Sequence, residues 1–284
     1  YAMKERFISL PDGKTATFHA EKSWQLPVGG TLVKNFYFDL VTKTGVKRQI
    51  VETRLLVRSE NGFRGFSYAW NEKATDAILL EKKAQRNFTV KTPEGPKTIP
   101  YLYPSRRQCV LCHSPRGFGP LAFTAAQTNM TIKNSKGANV NQIHQLMRHG
   151  VFRKGQVPAD LSSLTKLPNP KDTRESLVNR ARSYLHSNCS HCHNQVGGTG
   201  RGAFDMRWRL SLAKSNLCKA KPLTGDLGIP GATILKAGDP SKSLLYLRSI
   251  TKNPRYRMPN LGTHINDSYG HNLLKEWISN ETCS

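Results

Sequence analysis

The chain has 284 residues, 37% of them hydrophobic, which is enough to bury a core without relying on disulfide staples. Lys and Arg number 43 against 19 Asp and Glu, a formal net charge of +24 that favours anionic partners. The tightest basic groupings are pairs such as Lys82-Lys83 and Arg106-Arg107, unlike the long runs of nucleic-acid-binding arms, and no stretch has the roughly 20 apolar residues of a membrane span.

The first hundred residues read as strands. Thr31–Leu40, Gln49–Val57 and Phe66–Trp70 are rich in β-branched and aromatic residues. Pro11-Asp12-Gly13, Gly29-Gly30, Asn61-Gly62 and Pro93-Glu94-Gly95 punctuate them as turns. This spacing predicts an antiparallel sandwich or small barrel over residues 1–100. After Pro104 the pattern turns helical. Asp172-Thr173-Arg174-Glu175 has the form of a capping box opening a helix that runs to Cys189. A last helix is expected over about 266–280, with Leu273, Leu274, Trp277 and Ile278 on one face. The fold class expected is therefore α+β: a β domain (1–100), a first cofactor segment (101–170) and a second (171–284), the last two mainly α-helical, with Lys166–Lys171 as linker.

Six cysteines carry the chemistry. Cys109-Val110-Leu111-Cys112-His113 and Cys189-Ser190-His191-Cys192-His193 are both CxxCH, the attachment motif of haem c. Two cysteines one helical turn apart can each form a thioether to a porphyrin vinyl group, and the next histidine then faces the iron as its proximal ligand. The sequence thus predicts two covalently bound haem c groups (iron), with His113 and His193 as metal ligands. A zinc ribbon built on four cysteines would space its pairs by about 15–20 residues, far less than separates Cys112 from Cys189, and a thioredoxin-like dithiol gives no reason for two copies.

The second haem's sixth ligand is expected to be Met258, in the loop Arg257–Gly262 before the last helix. The alternatives are that Met258 packs in the core, with Met206 or His264 in its place. For the first haem, His144, Met147 and Met130 are candidates, since helical spacing puts His144 and Met147 on the apolar face with Val140 and Ile143. An open site is the other possibility. Haem c is attached outside the cytoplasm, where disulfides persist, so Cys218 and Cys283 are expected to bridge, against two separate thiols.

The order of these words resembles a family of bacterial diheme c-type cytochromes with no assigned reaction, whose C-terminal part is similar to class I cytochrome c. The resemblance runs through Tyr1–Ile8 with Leu10–Gly13, Pro27–Gly30, Glu52–Val57, Tyr68–Asn71, Pro104–Arg106, Asn141–Ile143, Tyr184-Leu185, Ala237–Pro240 and Met258-Pro259. It implies two haems, export to the periplasm or beyond, and redox work. It also implies a start before Tyr1, consistent with an opening that has no leader pattern. The expected function is electron transfer outside the cytoplasm, with acidic redox proteins as partners and no specific nucleic acid. The alternatives are a diheme peroxidase-like enzyme with one open haem, or a structural subunit of a larger cytochrome assembly or filament.

Overall fold

The computed structural model describes residues 2–113, 119–195, 200, 202–261 and 265–283. It divides into two compact units, Tyr1–Lys166 and Leu167–Ser284. The segment with the first CxxCH motif belongs to the first unit, beside the sheet.

That sheet is antiparallel throughout and contains β1 (Met3–Ser9), β2 (Thr31–Thr42), β3 (Gly45–Ser59), β4 (Gly62–Trp70), β5 (Ala77–Leu79), β6 (Ala84–Thr92) and β7 (Gly95–Tyr103). Its order is β5-β4-β3-β2-β6-β7, with β1 also paired to β2. Three connections are two-residue hairpins, closed at the pairs Thr42↔Gly45, Ser59↔Gly62 and Thr92↔Gly95. Gly95 has φ +110, which a side chain would strain. On one face Phe36, Phe38, Phe88, Tyr101 and Tyr103 form a chain of edge-on and tilted rings. A second core in the same unit gathers Trp24, Phe123, Ile143, Val151 and Phe152.

The expected α+β partition, with a mainly α-helical region after residue 100, is not what forms. Antiparallel sheet dominates, and helix accounts for only 21%. Nor is the β part a sandwich or closed barrel: it is one sheet. Seven α-helices occur among the described residues, α1 (Arg106–Cys112), α2 (Ala125–Thr128), α3 (Gln142–Arg148), α4 (Leu177–Asn188), α5 (Leu212–Ser215), α6 (Leu244–Ile250) and α7 (Ser268–Ser279). Only α4 and α7 reach 12 residues. The apolar residues after Pro104 are real core residues, but Pro158, Pro168, Pro170, Pro222, Pro230 and Pro254 interrupt the chain between them. A helix cannot propagate through such breaks, and short helices survive only where packing supports them.

Asp172 does not cap α4. Its carboxylate instead accepts bonds from the Arg174 backbone N–H (3.1 Å) and guanidinium (2.9 and 2.7 Å), closing a turn on itself. The cap is Ser176, whose Oγ accepts from the Asn179 N–H. In the second unit α4 and α7 pack through Ala181, Leu185, Leu273, Leu274, Trp277 and Ile278, with Phe204 and Met206 in the same core.

Candidate haem-attachment sites

β7 ends at the buried Tyr103, Pro104 follows, and Ser105 opens α1 with a complete capping box: its Oγ accepts from Gln108 N–H, and Gln108 Oε1 accepts from Ser105 N–H. Spacings of three and four residues then put Cys109, Cys112 and His113 on one side of the helix. The helix lies on β4 at Gly65, where an added Cβ would stand 2.5 Å from the Cβ of Cys109 and 2.8 Å from its Sγ. Arg106 reinforces the docking, its guanidinium 4.7 Å from the Phe66 ring and 3.2 Å from Glu81.

His113 closes the helix, its backbone N–H bonded to Cys109 O. Its Nδ1 lies 2.9 Å from the Gly119 carbonyl oxygen. A carbonyl only accepts, so Nδ1 carries the proton, and in the neutral ring the lone pair is on Nε2. A backbone carbonyl that holds the tautomer and the ring angle in this way is the usual support of a metal-ligating histidine.

The second motif begins where α4 ends. Cys189 is the C-cap, bonded through its N–H to Leu185 O, and the N–H groups of Cys192 and His193 both turn back to Cys189 O. The His193 ring stacks on Phe204, with centroids 4.9 Å apart and planes 18° apart. Met206 N–H donates to His193 O (2.9 Å), tying this segment to the motif. Gly200 lies against the ring edge, where a Cβ would be 2.7 Å from Cε1 and Nδ1. Buried Nδ1 of His193 has no hydrogen-bond partner among the described residues. Burial first, and the charge of Arg248 among the lesser causes, lower the His193 pKa and favour the neutral imidazole that a metal needs.

Arg248, at the end of α6, also reaches the Met258 loop, because its carbonyl accepts the Met258 N–H at 2.8 Å. Its guanidinium is spent on Thr224 Oγ1 (2.6 Å), Thr224 O (3.1 Å) and Gly225 O (2.8 Å). Arg248 thus holds the Met258 segment through its backbone, while its charge is a minor influence on His193. Met258 itself is 37% exposed, whereas Met206 is 5% exposed and belongs to the core. His264 lies outside the described residues.

The candidates for the first motif's sixth ligand sit apart in character. Ile143 is the buried residue of α3. His144 is half-buried, Met147 packs against the Trp24 core and Met130 is exposed. Packing alone thus accounts for Met147.

The thiols themselves discriminate between chemistries. Burial pushes Cys189 up to about 12, with Cys192 adding to it, and burial also raises Cys109. A redox dithiol supplies its thiolate through a depressed pKa, which burial opposes at Cys109 and Cys189. Two cysteines one turn apart beside a buried or carbonyl-held imidazole do fit covalent haem. Once bound, such a haem supplies a one-electron iron couple. Cys109, Cys112, Cys189 and Cys192 would supply the anchoring sulfurs and His113 and His193 the imidazoles, with Phe204 stacked beside the second.

Cys218 and Cys283 are joined, with their Cα atoms 6.0 Å apart. The bridge ties the tail of α7 to the loop after α5.

Sequence reading did not single out Gly65, Gly119, Phe204 or Arg248. Gly65 had a signal, since a lone glycine inside a strand pattern marks the close approach of another backbone. Comparison of the chain with protein-family profiles, curated proteins and solved structures finds no match.

Proposed function

We propose that the chain is a diheme c-type cytochrome that passes electrons outside the cytoplasm. The observation that carries this reading is the bond from His113 Nδ1–H to Gly119 O, directly after a CxxCH on a capped helix. It aims an imidazole lone pair from the position where haem c attachment requires one. A second CxxCH whose histidine is buried and biased to its neutral form supports the same chemistry. The Cys218–Cys283 bridge is compatible with an oxidising compartment. The net charge of +24 suits docking to acidic redox proteins by electrostatic steering.

In this reading Cys109 and Cys112 hold one haem, with His113 as axial ligand. Cys189, Cys192 and His193 hold the other, and Met258 is its distal ligand. Expressed with haem-attachment machinery, the chain should show a denatured mass greater than the polypeptide by two haems. A mass with no covalent haem would overturn the reading. Met258→Ala should then convert one haem to high spin and leave the other unchanged. Identical spectra would make Met258 a packing residue.

A further inference from the structure

The sheet carries an arrangement that the electron-transfer reading does not use. In the register of β1, β2 and β3, Arg6 pairs with Lys34 and Lys34 pairs with Arg54. Directly paired residues point to the same face, so three cations stand in one row across three strands. Lys4, paired with Phe36, adds a fourth on that face. The ring of Phe36 collects them: Lys4 Nζ lies 5.9 Å from its centroid, Lys34 Nζ 5.5 Å and Arg54 Cζ 4.5 Å.

Like charges at paired positions repel, and something must offset them. The nearby acid is Glu52, fully buried on the same face of β3, and it is already engaged. Its carboxylate accepts Arg54 Nε and a second guanidinium nitrogen (both 2.8 Å), Ser67 Oγ (2.5 Å) and Tyr101 OH (2.5 Å). Arg54 is therefore answered, while the Arg6 and Lys34 side chains have neither a carboxylate partner nor a hydrogen bond among the described residues. Burial first, then the charges of Arg6, Arg54 and Lys4, bring Lys34 down to about 7, with Glu52 opposing. Lys4 and Arg6 are exposed, so the row is open to solvent at its β1 end.

We propose that Arg6, Lys34 and Lys4, backed by Arg54 and Phe36, form a binding site for an oxyanion of the carboxylate or phosphate class. An anion placed there would accept from Arg6 and Lys34 and screen the repulsion along the row. The row lies close enough to the first motif for Arg54 and Glu52 to act on the Cys109 thiol. Two sources of the anion follow: a free oxyanion, or a propionate of a haem on Cys109 and Cys112. Only the second source rests on the function proposed above.

The probe is inorganic phosphate, titrated calorimetrically at constant ionic strength into the haem-loaded chain and into Cys109→Ser/Cys112→Ser. Lys34→Gln and Arg6→Gln remove repulsion and leave the Glu52 cluster intact, so they report binding rather than unfolding. Saturable phosphate binding to the loaded chain, weakened at least tenfold by Lys34→Gln, identifies a free oxyanion site. Binding confined to the cysteine variant identifies the propionate. If that variant does not fold, the loaded chain decides: Lys34→Gln and Arg6→Gln should alter the pH dependence of one haem's potential. No phosphate binding in either form, together with an unaltered potential–pH profile, overturns the site. Haem counting by mass is independent of these results, so failure of the cytochrome reading and failure of the anion site are separately visible.

Discussion

At Gly65 a single added carbon would meet the Cβ of Cys109 at 2.5 Å and its Sγ at 2.8 Å, and turning the Sγ away would leave the Cβ contact, which only a shift of the helix relieves. Gly65→Ala should force α1 off β4 and destabilise the first unit by about 1–3 kcal/mol, the usual cost of overpacking. Chemical denaturation checks the stability, and the haem count of the variant checks whether the first motif still loads. Unchanged stability would mean that α1 docks less tightly than 2.5 Å implies. The cysteines and histidines of both motifs can be picked out in the sequence because CxxCH is a fixed local spacing. Their supports cannot. Gly119 faces His113 across residues that no motif specifies, and Arg248 comes to His193 and Met258 from a different helix. Such partners are chosen by tertiary packing, which leaves no short-range pattern to read.

Secondary elements were legible to very different degrees. The strand segments predicted at 31–40, 49–57 and 66–70 fall inside β2, β3 and β4, because alternation and turn residues act locally. The helix expected to run to Cys189 and the one expected over 266–280 form as α4 and α7, but a mainly helical region after Pro104 does not, because apolar periodicity over a few residues says nothing about how far a helix can extend between prolines. The start of α4 shows the competition at one position. Asp172 had the spacing of a cap but gave its oxygens to Arg174, and Ser176 took the role. Ser176→Ala should therefore cost about 1 kcal/mol of stability, typical of a lost N-cap. Asp172→Ala should cost less, since its ion pair with Arg174 is at the surface. Thermal melts of the two variants check the order, and the reverse order would return the cap to Asp172.

For the molecule as a whole, the sequence predicts three segments, 1–100, 101–170 and 171–284, whereas the structure forms two compact units divided between Lys166 and Leu167, inside the expected linker. The second unit is closed by Cys218–Cys283, a bridge spanning 65 residues that include α6, α7 and the Met258 loop. Chain-entropy arithmetic for a loop of that length gives roughly 4 kcal/mol of stabilisation. Cys218→Ser/Cys283→Ser should lose a stability of that order in the second unit while the sheet unit melts unchanged, as calorimetry with two resolved transitions would show. Equal loss in both units would contradict the assignment of the bridge to one of them.

The hairpin of β6 and β7 is fastened differently from the rest of the sheet. Its two strands pair with each other from Ala84↔Tyr103 to Thr92↔Gly95, yet β6 meets β2 at the single registered pair Leu40↔Val90. Elsewhere side chains hold it: Phe88 and Tyr101 pack on Phe36 and Phe38, Arg86 donates to the Trp70 carbonyl (2.9 Å), and the phenol hydroxyls of Tyr101 and Tyr103 reach Glu52 and the Val51 carbonyl (3.3 Å). Beyond Tyr103 the chain runs straight into α1, latched at Gly65. With a single backbone pair joining it to β2, the hairpin is expected to open as a leaf near Leu40 before β1 to β4 unzip, once the motif helix is released. Its amides should exchange with deuterated water sooner than those of β2 and β3, and sooner still in Gly65→Ala; uniform protection across the sheet would show that the leaf does not move alone. In that sequence of events, seating the helix that carries Cys109 and Cys112 is the last step in closing the sheet.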